Sequence, residues 1–138
     1  MRGDSAHVSC RLAAVIVALC LASACSAQEA RPIHLDAKAT AALISERDEI
    51  TLLDVRTPEE FAEGHIEGAV NIDVLSPDFE SRVRQLDLSK PHLVYCRSGN
   101  RSARATDILE KLGARDLYHL DGGIKAWRAD DLPVSGKE

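Results

Sequence analysis

The stretch LVYCRSGNRS at residues 93–102 decides the fold, because it reads as a short apolar strand, a thiol and a tight polar loop. A helix is predicted directly after it, since apolar residues recur at helical spacing from Ala105 to Leu112. Gly113 ends that helix where glycine usually stands. The sequence therefore predicts a strand, a loop and a helix joined without any spacer.

This arrangement favours a charged form of Cys96. The loop N–H groups and the positive end of the helix dipole point toward the first loop residue, and such concave sets of amides hold anions. We therefore predict a thiolate with a lowered pKa. Arg97 and Arg101 add positive charge, Gly99 can adopt positive φ, and Ser102 can cap the helix or donate its hydroxyl to the sulfur.

We predict that Cys96 is a nucleophilic, solvent-reachable thiolate inside an anion pocket. The alternative is an inert buried cysteine that packs as a small hydrophobe. The density of arginine, glycine and asparagine in the loop argues against burial. The candidate binding loop comprises Arg97, Ser98, Gly99, Asn100, Arg101 and Ser102.

The first 24 residues have the pattern of an export signal. Arg2 and Arg11 precede an uncharged apolar run at 12–24, which is too short to span a bilayer comfortably. The LASAC sequence at 21–25, at the end of this run, resembles a bacterial lipobox, so we predict that Cys25 is lipidated and becomes the mature N-terminus. Ordinary cleavage and an uncleaved anchor are the alternatives. We therefore expect the chain to be exported to the periplasm. Lipid on Cys25 would attach it to a membrane, with residues 25–31 as a linker.

Cysteine usage and charge narrow the class of protein further. Cys10 and Cys20 lie in the leader, so a lipidated Cys25 would leave Cys96 as the sole free thiol, which indicates a chemical role. The sequence has no Cys-x-x-Cys pair and no Cys/His cluster at zinc spacing, so we expect no metal site and no cofactor. The formal net charge of −5 predicts no nucleic-acid partner.

Strand and helix patterns alternate along residues 32–138, which predicts one α/β domain with a mostly parallel central sheet. In such domains ligands bind beyond the carboxyl ends of the strands, which is where Cys96 stands. The predicted strands are 33–35, 50–55, 69–72, 93–95 and 116–120. The predicted helices are 36–44, 57–63, 78–86, the helix that ends near Leu112, and 124–128.

Three motifs together resemble the single-domain rhodanese family. They are LDVR at 53–56 with GHIEGAVNI at 64–72, CRSGNRS at 96–102, and GGIKAW at 122–127. The likeness covers about residues 32–134, and it is greatest to small exported rhodaneses of the phage-shock type. The resemblance implies a three-layer domain, with a mostly parallel sheet flanked by helices.

The resemblance also implies sulfur transfer. Cys96 would take the outer sulfur of thiosulfate as a persulfide, release sulfite, and pass the sulfur to cyanide or a thiol acceptor. The loop amides would stabilise the negative persulfide. Arg97 is either a ligand for the sulfonate or a solvated surface residue. Asp54 and Arg56 are interpreted as a buried ion pair, and His65 as a structural residue bonded to a turn carbonyl.

Two other classes of function remain open from the sequence. A phosphatase or arsenate-reductase-like enzyme would use the same thiolate, but those relatives place five residues between the cysteine and the arginine. Only four separate Cys96 from Arg101 here, and the smaller ring of amides suits a sulfur atom better than a tetrahedral oxyanion. The second class is a non-enzymatic sulfur carrier or interaction module, because a fold does not by itself establish an activity.

Overall fold

The structure, a computed structural model, describes residues 31–136, so the predicted leader and the lipidation candidate Cys25 lie outside the described residues. Within 31–136, no helix combines the length and the hydropathy needed to cross a membrane. In this described part of the chain, five strands and five helices alternate. In order they are β1 (Ile33–Leu35), α1 (Ala37–Glu46), β2 (Thr51–Asp54), α2 (Pro58–Ala62), β3 (Val70–Asn71), α3 (Phe79–Val83), β4 (His92–Tyr95), α4 (Asn100–Lys111), β5 (Leu117–Leu120) and α5 (Gly123–Ala129).

The five strands form one parallel sheet in the order β1-β5-β4-β2-β3. Strand β4 lies at its centre, and every residue of β4 and β5 is buried. Burial on both faces is what a central strand of a parallel α/β sheet requires. The strand that precedes Cys96 is therefore among the most enclosed elements of the domain.

Hydrophobic residues on the two faces of the sheet form two separate clusters, because side chains alternate along a strand. Leu53 and Val94 pack with α3 and α4, whereas Leu52, Leu93 and Tyr95 pack with α1 and α5. Helices thus cover both faces, and the predicted three-layer α/β architecture is confirmed.

Local signals at the helix starts agree with the sequence. Asp36 caps α1 by accepting from the N–H of Ala39 at 2.8 Å. Thr57 and Glu60 form the reciprocal capping box at the start of α2. Helix α3 is shorter than its predicted range of 78–86, ending at Val83.

Candidate active site

Cys96 lies directly after the carboxyl end of β4, and α4 begins four residues later at Asn100. Gly99 makes this short connection possible, because it caps α4 with a φ of +107° that other residues rarely adopt. The start of α5 holds the loop from the other side. The N–H of Ile124 donates to the carbonyl of Cys96 at 2.8 Å, and that of Lys125 donates to the carbonyl of Arg97 at 3.2 Å.

The prediction that Cys96 is solvent-reachable is wrong. The residue is 1% exposed and belongs to the core cluster that also contains Val55, Val94 and Ala105. The reason is positional: Cys96 continues the alternation of β4 and faces the layer formed by α4. The polar loop residues that argued for exposure, Arg97, Ser98 and Asn100, do face solvent, but the thiol lies beneath them.

Hydrogen-bond donors surround the buried sulfur. The N–H of Gly99 lies 3.1 Å from Cys96 Sγ, and the hydroxyl of Ser102 lies 3.3 Å from it. Burial raises the pKa of the thiol, but the Ser102 hydroxyl and the backbone N–H groups of Ser102, Gly99 and Ser98 lower it by more. The net pKa of Cys96 is therefore below its usual value, as the sequence predicted, although the thiol is enclosed by apolar side chains.

Ser102 acts on the sulfur and does not cap the helix, which starts two residues earlier. Its hydroxyl also lies 3.0 Å from the carbonyl of Gly99, so one side chain joins the loop backbone to the thiol. Of the two roles left open by the sequence, the structure places the hydroxyl beside the sulfur and not at the helix cap. Its one proton can be donated to Cys96 Sγ, to the Gly99 carbonyl or to His119 Nε2.

Arg101 has a partner that the sequence did not indicate. It forms a bidentate salt bridge with Glu60, with N···O distances of 2.6 and 2.8 Å. The Arg101 guanidinium, together with the backbone of Thr57, lowers the pKa of Glu60 to about 2 despite partial burial. Arg101 thus joins the first turn of α4 to α2, and its charge also interacts with Cys96: Glu60 first, and then the negative charge of Cys96, raise the pKa of Arg101.

Arg97 is the loop cation that remains exposed. It lines a cavity of about 270 Å³ with Lys125, Arg128 and the buried Arg56. Glu60, Glu63 and Ile124 complete the lining. Four cationic side chains against two carboxylates make the cavity attractive to small anions.

His119 is a neighbour of the site that sequence reasoning did not assign. It is buried on β5, with Nε2 lying 2.8 Å from Ser102 Oγ and 3.2 Å from the carbonyl of Gly99. Its Nδ1 lies 2.9 Å from Asp121 Oδ1. A single histidine in an otherwise apolar strand was the available signal, but the pairing of β4 with β5 was needed to place it beside the loop.

The structural interpretations of two other charged or basic groups are confirmed. Asp54 and Arg56 form a buried ion pair at 2.6 Å, and Arg56 also donates to the carbonyl of Gly64. His65 lies with Nδ1 2.9 Å from the carbonyl of Phe61, on whose ring it stacks. Neither group contacts the thiol.

Comparison with known proteins agrees with this geometry. Residues 36–130 match the family model for the Rhodanese-like domain. The chain is 40% identical over 87 residues to thiosulfate sulfurtransferase GlpE of Pseudomonas putida (strain F1), covering 62% of this chain and 76% of that protein. It is 42% identical over 76 residues to uncharacterized protein YqhL of Bacillus subtilis, where the match covers 55% of this chain and 59% of that protein's length.

A solved structure is also similar. The crystal structure of a rhodanese-related protein from Thermoplasma volcanium superposes with a TM-score of 0.67 at 30% sequence identity. The match covers 76% of this chain and 99% of that one.

Proposed function

Because this chain belongs to the rhodanese-like domain family, we propose that it is a sulfurtransferase that moves a sulfane sulfur from thiosulfate, or a similar donor, through a persulfide on Cys96. The observation that carries the proposal is the set of N–H and O–H donors around Cys96 Sγ. These donors favour a sulfur that stays anionic, both as a thiolate and as a persulfide.

The first half-reaction needs a thiolate and no general base. The Cys96 thiolate attacks the outer sulfur of thiosulfate and forms a new S–S bond, while the bond between that sulfur and the sulfonate breaks. Sulfite leaves with the electron pair, and the persulfide keeps one negative charge. The donors of Gly99 and Ser102 lie close enough to the sulfur to stabilise this charge as it moves outward.

In the second half-reaction the outer sulfur is again the electrophile, and Cys96 is now the leaving group. Cyanide or an acceptor thiolate attacks it, the persulfide S–S bond breaks, and the electron pair returns to Cys96. The basic cavity lined by Arg97, Lys125 and Arg128 supports the proposal, because donor, sulfite and cyanide are all anions. Arg97 is the cation of this set that belongs to the loop itself.

Burial of Cys96 adds a requirement to this mechanism. A donor can reach the sulfur only if the loop residues that cover it move apart. The loop is anchored at its first two carbonyls by α5 and at Arg101 by α2. Ser98 and Asn100 lie between these anchors and are exposed, so we assign the opening to this part of the loop.

The experiment uses the full chain carrying Cys10→Ser, Cys20→Ser and Cys25→Ser, called the serine background below. Thiocyanate formation from thiosulfate and cyanide is measured with and without Cys96→Ser. We expect turnover in the serine background and none in the Cys96→Ser variant. Turnover that survives loss of the thiol would contradict the assignment of Cys96.

The same preparation distinguishes the two alternative functions. Hydrolysis of an aryl phosphate without sulfur uptake would favour the phosphatase alternative. Sulfur uptake that passes to neither cyanide nor a thiol would favour a carrier. Arg101→Ala is expected to weaken turnover, because it frees the start of α4 from Glu60, and undiminished turnover would contradict that role.

We also propose that the chain is exported and attached to a membrane by lipid on Cys25. The support is the LASAC pattern at 21–25, which overlaps the end of the apolar run at 12–24. Palmitate labelling of the full chain expressed in a bacterium tests this, with globomycin sensitivity as a second measurement. Labelling should disappear in Cys25→Ala, and label that persists in this variant would contradict the proposal.

A further inference from the structure

A second group of polar side chains is carried by the paired strands β1 and β5 and by Asp121, which follows β5 directly. Of its members, His119 is the one that also contacts the thiol loop. His34 Nδ1, His119 Nδ1 and Asp121 Oδ1 converge on one point: the two nitrogens are 3.2 Å apart, and they lie 2.8 and 2.9 Å from the carboxylate oxygen. We propose that these three atoms bind a divalent transition-metal ion, zinc(II) by their chemistry. This goes beyond sulfur transfer and does not depend on it.

The distances fit a metal ion at ordinary bond lengths. The circle through the three atoms has a radius of about 1.7 Å, so a point about 1.1 Å off their plane lies about 2.05 Å from each. Ligands at that bond length are about 2.9 Å apart at right angles and about 3.3 Å apart at tetrahedral angles. The three observed separations lie close to this range. Two imidazoles and one carboxylate are also a donor set that zinc accepts.

The other face of His119 fixes the orientation of its ring. Its Nε2 lies 2.8 Å from Ser102 Oγ and 3.2 Å from the Gly99 carbonyl, so contacts at Nε2 hold the ring in the core. Its Nδ1 then faces the carboxylate oxygen of Asp121 at 2.9 Å and the nitrogen of His34 at 3.2 Å. Histidines that bind a metal through one ring nitrogen usually have the other nitrogen hydrogen-bonded in this way.

The site has the form of an open metal site. His119 is fixed in the core, with 4% of its side chain exposed, whereas the side chains of His34 and Asp121 are more than half exposed. The exposed side leaves further coordination positions to water or to an external ligand. The adjoining groove contains the carboxylates of Asp107 and Glu110 together with the guanidinium of Arg31, so its lining carries one net negative charge near the cation.

A bound metal would influence the thiol loop through the side chains of His119 and Ser102. Coordination at Nδ1 keeps the His119 proton on Nε2, from where it is directed at Ser102 Oγ, 2.8 Å away. The Ser102 hydroxyl proton is then free to point at Cys96 Sγ. The metal would thus be a positioning group for the loop, with no contact to the sulfur itself.

The test is binding of zinc(II) alone to the serine background, measured by calorimetry, and binding of cobalt(II), measured by absorption. We expect one ion per chain and a visible cobalt spectrum without a thiolate-to-cobalt charge-transfer band. His34→Asn and Asp121→Asn should each weaken zinc binding at least tenfold. Both side chains are largely exposed, so neither substitution should prevent folding.

Control variants separate this site from its alternatives. Asp107→Asn removes a nearby carboxylate outside the cluster and should leave zinc affinity within about twofold. Cys96→Ser should retain binding although it abolishes sulfur transfer, so the two proposals can fail separately. Absence of zinc binding would show a cluster held by hydrogen bonds alone. That result, binding unaffected by His34→Asn and Asp121→Asn, or binding lost with Cys96→Ser, would overturn the proposal.

Discussion

Gly123→Ala tests the support that α5 gives to the thiol loop. Gly123 has a φ of +60°, and a Cβ placed on it would lie 2.6 and 2.7 Å from the carbonyl carbon and oxygen of Arg97, with the carbonyl oxygen of Cys96 closer still. To restore an ordinary contact of 3.4 Å, the loop backbone must move by about 0.8 Å at the Arg97 carbonyl carbon and by more at the Cys96 carbonyl oxygen. The atoms in the way belong to the main chain, so no side-chain rotation can relieve the clash.

The cost follows from the bonds that this movement disturbs. The N–H groups of Ile124 and Lys125 hold the carbonyls of Cys96 and Arg97, and each hydrogen bond contributes about 0.5–1.5 kcal/mol. Left-handed backbone adds about 1–2 kcal/mol for a residue with a Cβ. We expect Gly123→Ala to lower the free energy of unfolding by about 2–5 kcal/mol. Sulfur uptake from thiosulfate should fall at least tenfold, because the amides no longer meet the sulfur.

Gly113→Ala is the matched control. Gly113 also has positive φ, +105°, but a Cβ there meets nothing within 4 Å. Gly113→Ala should therefore lower the free energy of unfolding by only about 1–2 kcal/mol, through backbone strain, and should keep the normal rate of sulfur uptake. Urea unfolding gives the stabilities, and single-turnover reaction with thiosulfate gives the rates. Equal rates in the two variants would refute the idea that α5 positions the loop.

Three further variants test the charges and hydrogen bonds of the site. Ser102→Ala removes a donor to the sulfur, so the pKa of Cys96 should rise and its iodoacetamide reaction should need a higher pH; an unchanged pH profile would contradict this. Glu60→Gln should lower the free energy of unfolding by about 1–2 kcal/mol at pH 7. Because the folded pKa of Glu60 is lowered to about 2, this difference in urea unfolding should shrink as pH falls below about 4.5, and a constant difference would argue against the ion pair. Asp54→Asn leaves the buried guanidinium of Arg56 uncompensated and should cost about 3–5 kcal/mol in urea unfolding, whereas a loss below about 1 kcal/mol would contradict that pairing.

Local chemistry explains what the sequence could predict. The capping box at Thr57 and Glu60, the turn contact of His65, and the Asp54–Arg56 pair all join residues close in sequence, so spacing alone is informative. The succession of strand, thiol and helix around Cys96 could be predicted for the same reason. A strand that ends in a thiol and leads into a helix places that thiol at a carboxyl edge of the sheet.

Long-range packing explains what the sequence could not predict. Arg101 was predicted to add positive charge near the thiol, but its salt-bridge partner Glu60, 41 residues away on α2, was not indicated by the sequence. His119 reaches Ser102 only because β5 pairs with β4. Exposure of Cys96 was misjudged because the polar residues of a loop show where the loop faces and not where its first side chain points. The same limit applies to His34 and Asp121, which no local spacing links.

The central claim is that Cys96 carries sulfur as a persulfide held by main-chain and hydroxyl donors. Its most direct test is the intact mass of the serine background after incubation with thiosulfate. We predict a gain equal to one sulfur atom, absent in Cys96→Ser and reversed by cyanide. A mass that does not change in the serine background, or an equal gain in the Cys96→Ser variant, would contradict the claim.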